Sequence, residues 1–306
     1  MSIHIDTSVY IMGDVHGRYQ PIRDFYYQKM KYNQENDIEE KNITLILLGD
    51  FGGNFFFNYR DDKFKTKLRS YDMTYFVIRG NHEERPSVCM MNNPDEWHTE
   101  EYFGNTVYVE NNYPYIKYAL DHPAAYTIPV IAEPYWLRDD DKYGNIEWEN
   151  LINNYQVLIL PGAYSVDKYY RLQHGMTWFK NEQLTQQEMW DGTELASKAK
   201  WDLILSHTCP IAWEPTDLFL SQIDQSTVDS TMERWLGNIE YKTDYTLWCF
   251  GHFHQTRIYP KDWENNRQSL MLYNDVVLDL NSFFMDNYRN SDISSVWNSL
   301  IKIESY

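Results

Sequence analysis

The stretch TYFVIRGNHE, residues 74–83, decides how the fold is interpreted. Its first part is a β-branched and aromatic run of the kind that forms buried strands. The run stops at Gly80, after which come an amide at Asn81, an imidazole at His82 and a carboxylate at Glu83. Taken alone, these four residues fit an ordinary turn. They indicate a functional site only if partner side chains follow other strands.

Further apolar runs that end at small or polar residues predict more strands. These runs are SVYIMGD (8–14), ITLILLGD (43–50), QVLILPGAYS (156–165), WDLILSHTCP (201–210) and YTLWCFGHFH (245–254). The first three strands are separated by polar segments such as PIRDFYYQKMKYNQE (21–35), which are long enough for helical crossovers between parallel strands. The chain is therefore predicted to open as βαβαβ.

Three other regions have weaker patterns. Residues 86–150 are rich in Pro, Asn, Trp and Tyr and show little helical periodicity, which predicts inserted loops and hairpins. Within 221–240, an amphipathic helix is predicted from the spacing of Ile223, Val228, Met232 and Trp235. From residue 268 onwards, alternating apolar and polar positions predict one or two late strands, so that the whole reads as two stacked sheets.

Composition limits the function classes. The chain has 306 residues, 45 of them Asp or Glu and 27 Lys or Arg, and its net charge of -18 argues against binding to an extended nucleic acid. The three cysteines lack CxxC spacing, and no basic and apolar leader or membrane-spanning run is seen, so a cytoplasmic protein with free thiols is expected. No repeat or Pro- or Ser-rich linker interrupts the chain, which predicts a single domain over 1–306.

Polar side chains gather at the predicted strand ends, where α/β sheets place their ligand sites. In an extended chain, residues i and i+2 point to the same side, so GDVHG and GHFH are each expected to present a pair of side chains. The resulting candidates are Asp14, His16, Asp50, Asn81, His82, His207, His252 and His254. Each motif alone fits a turn, and His207 alone fits a core histidine. Together, oxygen and nitrogen ligands without Cys suit two divalent ions of Mn²⁺, Fe or Zn²⁺.

The motif set GDVHG, GDFGG, GNHE, SH and GHFH resembles the calcineurin-like metallophosphoesterase superfamily, over five blocks between residues 13 and 254. The resemblance implies an α/β fold of two stacked mixed β-sheets flanked by helices, a four-layer sandwich with a dinuclear metal site at the strand ends. One metal would be held by Asp14, His16, Asp50 and His254. The other would be held by Asp50, Asn81, His207 and His252, with Asp50 bridging. His82 would assist departure of the leaving oxygen.

One branch of the superfamily fits less well. RGNHE resembles the protein serine/threonine phosphatases, but their second block continues GDxVDRG, whereas this chain has GDFGGN. The Asp that orients the catalytic His and an adjacent phosphate-binding Arg are thus missing, and another orienting residue is expected from 86–150. The block at 160–184 resembles small bacterial and phage metallophosphoesterases of unassigned substrate, where Gly162, Ser165 and Asp167 would shape a loop near the site.

Three arginines are candidates for binding a phosphate group: Arg18, Arg85 and Arg171. For Arg171 a surface or structural ion pair is an equal interpretation, and for Arg18 and Arg85 an ordinary exposed arginine is. The favoured function is a dinuclear phosphatase, with a metal-bound hydroxide attacking phosphorus in line and manganese as the expected metal. Two alternatives stay open: a phosphodiesterase for nucleotides or cyclic nucleotides, and a non-catalytic metal-binding scaffold for protein interaction.

Overall fold

The structure is a computed structural model that describes residues 3–5, 7–131, 152–219, 221–289 and 294–305. The part of the predicted 86–150 insertion from residue 132 onwards lies outside the described residues. The strands are β1 (Ile3–Ile5), β2 (Ser8–Met12), β3 (Ile38–Glu40), β4 (Ile43–Leu47), β5 (Thr74–Val77), β6 (Trp97–Tyr102), β7 (Asn105–Glu110), β8 (Ile116–Tyr118), β9 (Ala124–Ile131), β10 (Ile152–Leu160), β11 (Trp201–Ser206), β12 (Tyr245–Phe250), β13 (Arg257–Ile258), β14 (Gln268–Met271), β15 (Val276–Asp279) and β16 (Leu300–Lys302).

Eight α-helices lie between or after these strands in the described parts of the chain. They are α1 (Gln20–Glu35), α2 (Tyr59–Leu68), α3 (Pro86–Asn92), α4 (Lys168–Gln173), α5 (Gln186–Ala196), α6 (Thr231–Lys242), α7 (Leu280–Arg289) and α8 (Ser294–Asn298). None of them is long and apolar enough to cross a bilayer. A cytoplasmic location stays a prediction.

The first large sheet has the strand order β16-β15-β2-β4-β5-β8-β7-β6. Its strands β2, β4 and β5 are parallel, and α1 and α2 connect them, so the predicted βαβαβ opening is confirmed. The sequence also explains the helix starts. Pro21 lies in the first turn of α1, where a missing N–H costs nothing, and Asn58 caps α2 by accepting from the Arg60 amide.

The second sheet has the order β13-β14-β12-β11-β10-β9. Strands β10, β11, β12 and β14 run parallel, and β9 and β13 are antiparallel at the edges. Helix α5 begins with a capping box in which Thr185 and Glu188 bond each other's backbone amides. Both sheets are therefore mixed. In each sheet the loops that follow the central parallel strands lie together at the carboxyl ends of those strands.

The two sheets pack face to face, and helices cover their outer faces. Alternation along each strand produces this arrangement, since successive side chains point to opposite faces. In β2, Ile11 joins the core between the sheets while Tyr10 packs with Phe25 of α1. In β11, Leu205 points into the same central core and Ile204 joins the layer that includes α6. The predicted sandwich of two mixed sheets flanked by helices is confirmed.

Three local predictions need correction. The helix expected over 221–240 begins only at Thr231, where the Asp229 carboxylate accepts from the Thr231 amide and hydroxyl, and the preceding residues form turns and a short 3₁₀ helix at Gln225–Thr227. The tail adds α7 after β15, since the Asp279 side chain accepts from the amide of Ser282 and starts a helix. In the described part of the 86–150 segment, where inserted loops and hairpins were expected, the structure has helix α3 and four strands, β6 to β9, that all belong to the two large sheets.

Candidate metal centre

The predicted ligand residues lie in five loops that follow strands β2, β4, β5, β11 and β12. The first three strands belong to one sheet and the last two to the other. Each predicted ligand has at least one other within 4.0 Å, so the structure brings the whole set together. The site spans both sheets and requires both to be folded.

The backbone of these loops is unusual. Four non-glycine residues at the site have positive φ: His16 at 49°, Asp50 at 46°, His252 at 71° and His254 at 54°. Such conformations cost on the order of 1–3 kcal/mol each and persist where the surroundings fix them. The paired side chains therefore converge through left-handed turns, and the expectation that they share a side because the chain is extended is wrong.

Two glycines of the sequence motifs are required by close packing. A Cβ at Gly80 would overlap Oδ1 of Asp50, and a Cβ at Gly251 would overlap Oδ1 of Asp14. These carboxylates also accept backbone bonds, from the His82 amide to Asp50 at 2.8 Å and from the His252 amide to Asp14 at 3.0 Å. Gly80 and Gly251 thus let a carboxylate from a neighbouring loop reach the backbone amides that follow them, those of His82 and His252.

We call Asp50, Asn81, His207 and His252 the inner group. Nδ1 of the fully buried His207 lies 2.7 Å from the Leu48 carbonyl, which can only accept, so Nδ1 carries the hydrogen. Its Nε2 faces Oδ1 of Asn81 at 2.9 Å, Nδ1 of His252 at 3.3 Å and Oδ1 of Asp50 at 3.5 Å. These are lone-pair donors converging on one point, which is the arrangement a cation requires.

Asp14, His16 and His254 form the outer group. Nε2 of His254 lies 2.8 Å from Nε2 of His16 and 3.5 Å from Oδ2 of Asp14. The side chains of His16 and His254 are 27% and 50% exposed, whereas Asp14 is buried. Asp50 stands between the groups, with Oδ2 3.8 Å from His16 and Oδ1 3.5 Å from His207.

Two sets of residues each have potential ligand atoms that all lie within 4.8 Å of one another. One set is the outer group itself, and the other is Asp14, Asp50 and His207. Asp14 belongs to both, although the resemblance assigns the bridging role to Asp50. Asp50 faces Nε2 of a histidine in each group, whereas Asp14 approaches His207 only at 4.0 Å from Nδ1, the nitrogen that is bonded to the Leu48 carbonyl.

The electrostatics favour a positive charge in this centre. Burial lowers the pKa of His207, but the carboxylates of Asp50 and Asp14 raise it by more, so that the resulting pKa is about 9. Burial raises the pKa of Asp14 to about 7, and burial lowers the pKa of His16 to about 4. The carboxylates thus favour a positive charge beside them, and without a metal ion that charge lies on the His207 ring, whose Nε2 must lose its proton before it can bind a metal ion. Such a set of oxygen and nitrogen donors fits divalent metal ions.

His82 lies beside the two groups, and its side chain is 17% exposed. Its Nε2 is 3.8 Å from Oδ2 of Asp50 and 3.4 Å from Nη2 of Arg171. Arg171 is in turn held by Asp167, whose Oδ1 accepts from Nε at 2.7 Å. The polar neighbours of the His82 ring nitrogen therefore come from the loop after β4 and from α4, whereas an orienting residue was expected from 86–150.

The three candidate arginines differ in position. Arg18 and Arg171 line the cavity at the site, and Nη2 of Arg18 donates to the Tyr273 hydroxyl at 2.7 Å. Arg85 is buried, pairs with Glu188, and donates to the carbonyls of Asn181 and Gln183. Its guanidinium is thus committed to joining two loops, and the proposed phosphate contact is corrected to a structural ion pair.

A cavity of about 800 Å³ opens beside the ligands. Beyond the metal centre, its wall includes the apolar side chains Ile211, Leu218, Phe219, Ile223, Val228 and Phe253, and the acidic side chains Glu214, Asp229 and Glu233. Sequence reasoning missed Tyr273, whose ring stacks on His254 with centroids 5.3 Å apart. No motif marks Tyr273, although it follows a predicted strand at the edge where the ligands gather.

Comparison with known proteins agrees with this geometry. The model of the calcineurin-like phosphoesterase family matches residues 7–256, and the chain belongs to that family. Membership supports a metal-dependent phosphoesterase. A search of curated proteins finds no match.

Two solved structures show distant likeness. A 5'-nucleotidase from Candida albicans is 16% identical with a TM-score of 0.40, covering 90% of this chain and 47% of its own. This chain thus spans about half of that enzyme's length. A phosphopantetheinyl hydrolase from Mycobacterium tuberculosis is 10% identical with a TM-score of 0.36, covering 97% of this chain and 96% of its own. These likenesses leave the substrate open.

Proposed function

We propose that this protein is a dinuclear metal-dependent phosphatase that hydrolyses a phosphate monoester. The observation that carries the proposal is the convergence of the inner and outer groups around Asp14 and Asp50, beside His82 and an open cavity. Asp14, His16, Asp50 and His254 would hold one ion. Asp50, Asn81, His207 and His252 would hold the other. We also propose that both sheets work as one domain, because each supplies ligands to the same centre.

Two bound divalent ions, which we expect to be Mn²⁺, would supply an activated water and neutralise the phosphoryl oxygens. His82 lies at the edge of the cavity, where its ring can give a proton or hydrogen bond to the leaving oxygen. General acid assistance of this kind contributes roughly 10² to 10⁴ in rate. Arg171, fixed by Asp167 and 3.4 Å from His82, would place its guanidinium beside the same phosphate group.

Arg18 and Arg171 are cationic side chains of the cavity wall and support a monoester over a diester, although Glu214, Asp229 and Glu233 also line that wall. A phosphate monoester carries two negative charges near neutral pH, and both Arg18 and Arg171 line the cavity with the metal ligands. The apolar wall that includes Phe253 and Ile223 leaves room for an organic leaving group. The same room would hold the second substituent of a diester, so a phosphodiesterase acting on nucleotides is the second candidate.

The test is Mn²⁺-dependent hydrolysis of p-nitrophenyl phosphate and bis-p-nitrophenyl phosphate, measured side by side. We expect kcat/KM for the monoester to exceed that for the diester by more than about tenfold, which is about 1.4 kcal/mol of transition-state discrimination. Asp50→Asn protein purified in parallel controls for contaminating phosphatases. A diester preference would favour the phosphodiesterase. Two bound metals without hydrolysis of either ester would favour the scaffold.

A further inference from the structure

The amide of Asn81 has two ends, and only one of them can bind a metal ion. Its oxygen donates lone pairs, whereas its NH₂ group carries only hydrogens on that side. In this structure Oδ1 faces Nε2 of His207 at 2.9 Å, toward the centre of the inner group. Nδ2 points away and donates to Oγ of Ser165 at 2.9 Å. The hydroxyl of Ser165 thus decides which end of the amide faces the metal site.

Ser165 is itself fixed by a carboxylate behind it. Its Oγ donates to Oε2 of Glu182 at 2.5 Å, and its backbone amide donates to Oε1 at 3.1 Å. The indole of Trp178 donates to Oε2 at 2.8 Å. Because Glu182 takes the single hydroxyl hydrogen, Oγ of Ser165 has only lone pairs left, and it can receive Asn81 only through Nδ2. The carboxylate of Glu182 therefore excludes the reversed amide.

The loops that carry these residues are joined at two further points. Arg79 directly precedes the GNHE motif, and its Nη1 donates to the Glu182 carbonyl at 2.7 Å. The backbone carbonyl of Arg79 accepts from the Gly162 amide at 2.9 Å. Asn81, Ser165 and Glu182 are 2%, 1% and 2% exposed, so water does not compete for their bonds. A buried chain of hydrogen bonds thus runs from Glu182 to the inner group.

We propose that Ser165, backed by Glu182, is a positioning residue that fixes the amide of Asn81 with its oxygen toward the inner metal ion. This inference rests on the proposed function, since it assigns a metal to the inner group. Partners behind the ligands of a metal typically contribute 10- to 100-fold in affinity, because they orient the ligand and raise its basicity. The effect should be confined to one of two ions, because Ser165 bonds no ligand of the outer group.

The experiment is a calorimetric titration of metal-free protein with Mn²⁺. In Ser165→Ala we expect one of the two binding steps to weaken by about 10- to 100-fold, while the other changes by less than about threefold. The matched control is Thr44→Val, which removes another buried hydroxyl, bonded to Tyr102 at 2.8 Å, at the opposite end of β4 from Asp50. Both steps should be unchanged in that variant.

A second background separates orientation from general damage. Asn81→Asp replaces the amide by a carboxylate, which presents an oxygen in either orientation. In the Asn81→Asp background, Ser165→Ala should therefore weaken binding of the inner ion by less than about threefold. The same substitution in the wild-type background should weaken it strongly. If Ser165→Ala does not fold, Glu182→Gln serves instead, since its NH₂ would face a donor of Ser165, and the same step should weaken.

The outcomes separate this inference from the proposed function. Wild-type protein that binds no Mn²⁺ would overturn both. Wild-type protein with two binding steps that are unchanged in Ser165→Ala would overturn the inference alone. Equal weakening of both binding steps by Ser165→Ala would show that the hydroxyl has only a structural role, and would also overturn the inference. So would equal weakening of the inner step by Ser165→Ala in the wild-type and in the Asn81→Asp background.

Discussion

The inner and outer groups use similar residues but are held differently. In the inner group, His207 is fixed by the Leu48 carbonyl and Asn81 by Ser165, and both side chains are buried. In the outer group, His254 is half exposed and lies against the ring of Tyr273. Fixed ligands lose less conformational entropy on binding than mobile ones. We therefore expect the inner ion to bind more tightly and the outer ion to exchange first.

The largest expected effect is that of Asp50→Asn, because Asp50 faces histidines of both groups. The amide keeps the shape of the side chain and can still accept from the backbone of His82, but it removes the central negative charge. We expect turnover to fall by at least about 10⁴-fold, a small part of what enzymes of this kind achieve, and affinity for both ions to fall. Metal content and hydrolysis rate are the measurements. Loss of one ion with the other unchanged would contradict a shared role for Asp50.

Replacement of His82 should separate chemistry from metal binding. His82 belongs to neither the inner nor the outer group. In His82→Ala both ions should therefore stay bound while turnover falls by roughly 10² to 10⁴-fold. The comparison is of kcat with metal content in the same preparation. Turnover equal to that of wild type would remove His82 from the catalytic step.

Removing one ligand from each group sharpens the comparison between them. We expect His207→Ala and His254→Ala each to weaken one ion by more than about 100-fold, a larger loss than that of a partner behind a ligand. Only His207→Ala should also lower the free energy of unfolding of metal-free protein, by about 1–3 kcal/mol, because it leaves the buried Leu48 carbonyl without its donor.

Denaturant unfolding of the two metal-free variants checks this difference. The exposed position of His254 predicts a change within about 0.5 kcal/mol. Equal destabilisation by both substitutions would mean that the outer group is as rigid as the inner group, and the expected order of metal exchange would lose its basis.

The smallest expected effects come from two arginines with different surroundings. Arg171→Gln removes a cation at the cavity and should lower kcat/KM for a monoester by about 10- to 100-fold, the range of a charged hydrogen bond. Arg85→Gln breaks the pair with Glu188 and should lower stability by about 1–3 kcal/mol with KM unchanged. Steady-state kinetics and denaturant unfolding test both. A higher KM in Arg85→Gln with normal stability would restore the phosphate-binding role predicted from the sequence.

Much of the site could be predicted from sequence because strand ends are local features. Apolar runs ending in GD, GNH, SH and GHFH mark where side chains must emerge, and parallel strands bring those ends to one edge. The fate of Arg85 could not be predicted, since Glu188 lies 103 residues away in the chain. The bond of Asn81 to Ser165 spans 84 residues and is likewise set by packing of one loop on another.

The helix at 231–242 shows a second limit of sequence reasoning. Ile223 and Val228 fit a helical spacing with Met232 and Trp235, yet they line the cavity from turns while the latter two are buried on α6. Apolar spacing predicts which side chains are shielded from solvent, but it does not tell whether they lie in a helix core or in a cavity wall. The local feature next to the start of the helix is the turn in which the Asp229 carboxylate accepts from the Thr231 amide, one residue before the N-cap Ser230.

The most direct test of a two-metal phosphoesterase is the rate of p-nitrophenyl phosphate hydrolysis as Mn²⁺ is added to metal-free protein in measured equivalents. We expect little hydrolysis after the first equivalent, which fills the inner group, and a rise to full rate with the second. Full activity after one equivalent, or none after two, would contradict the account.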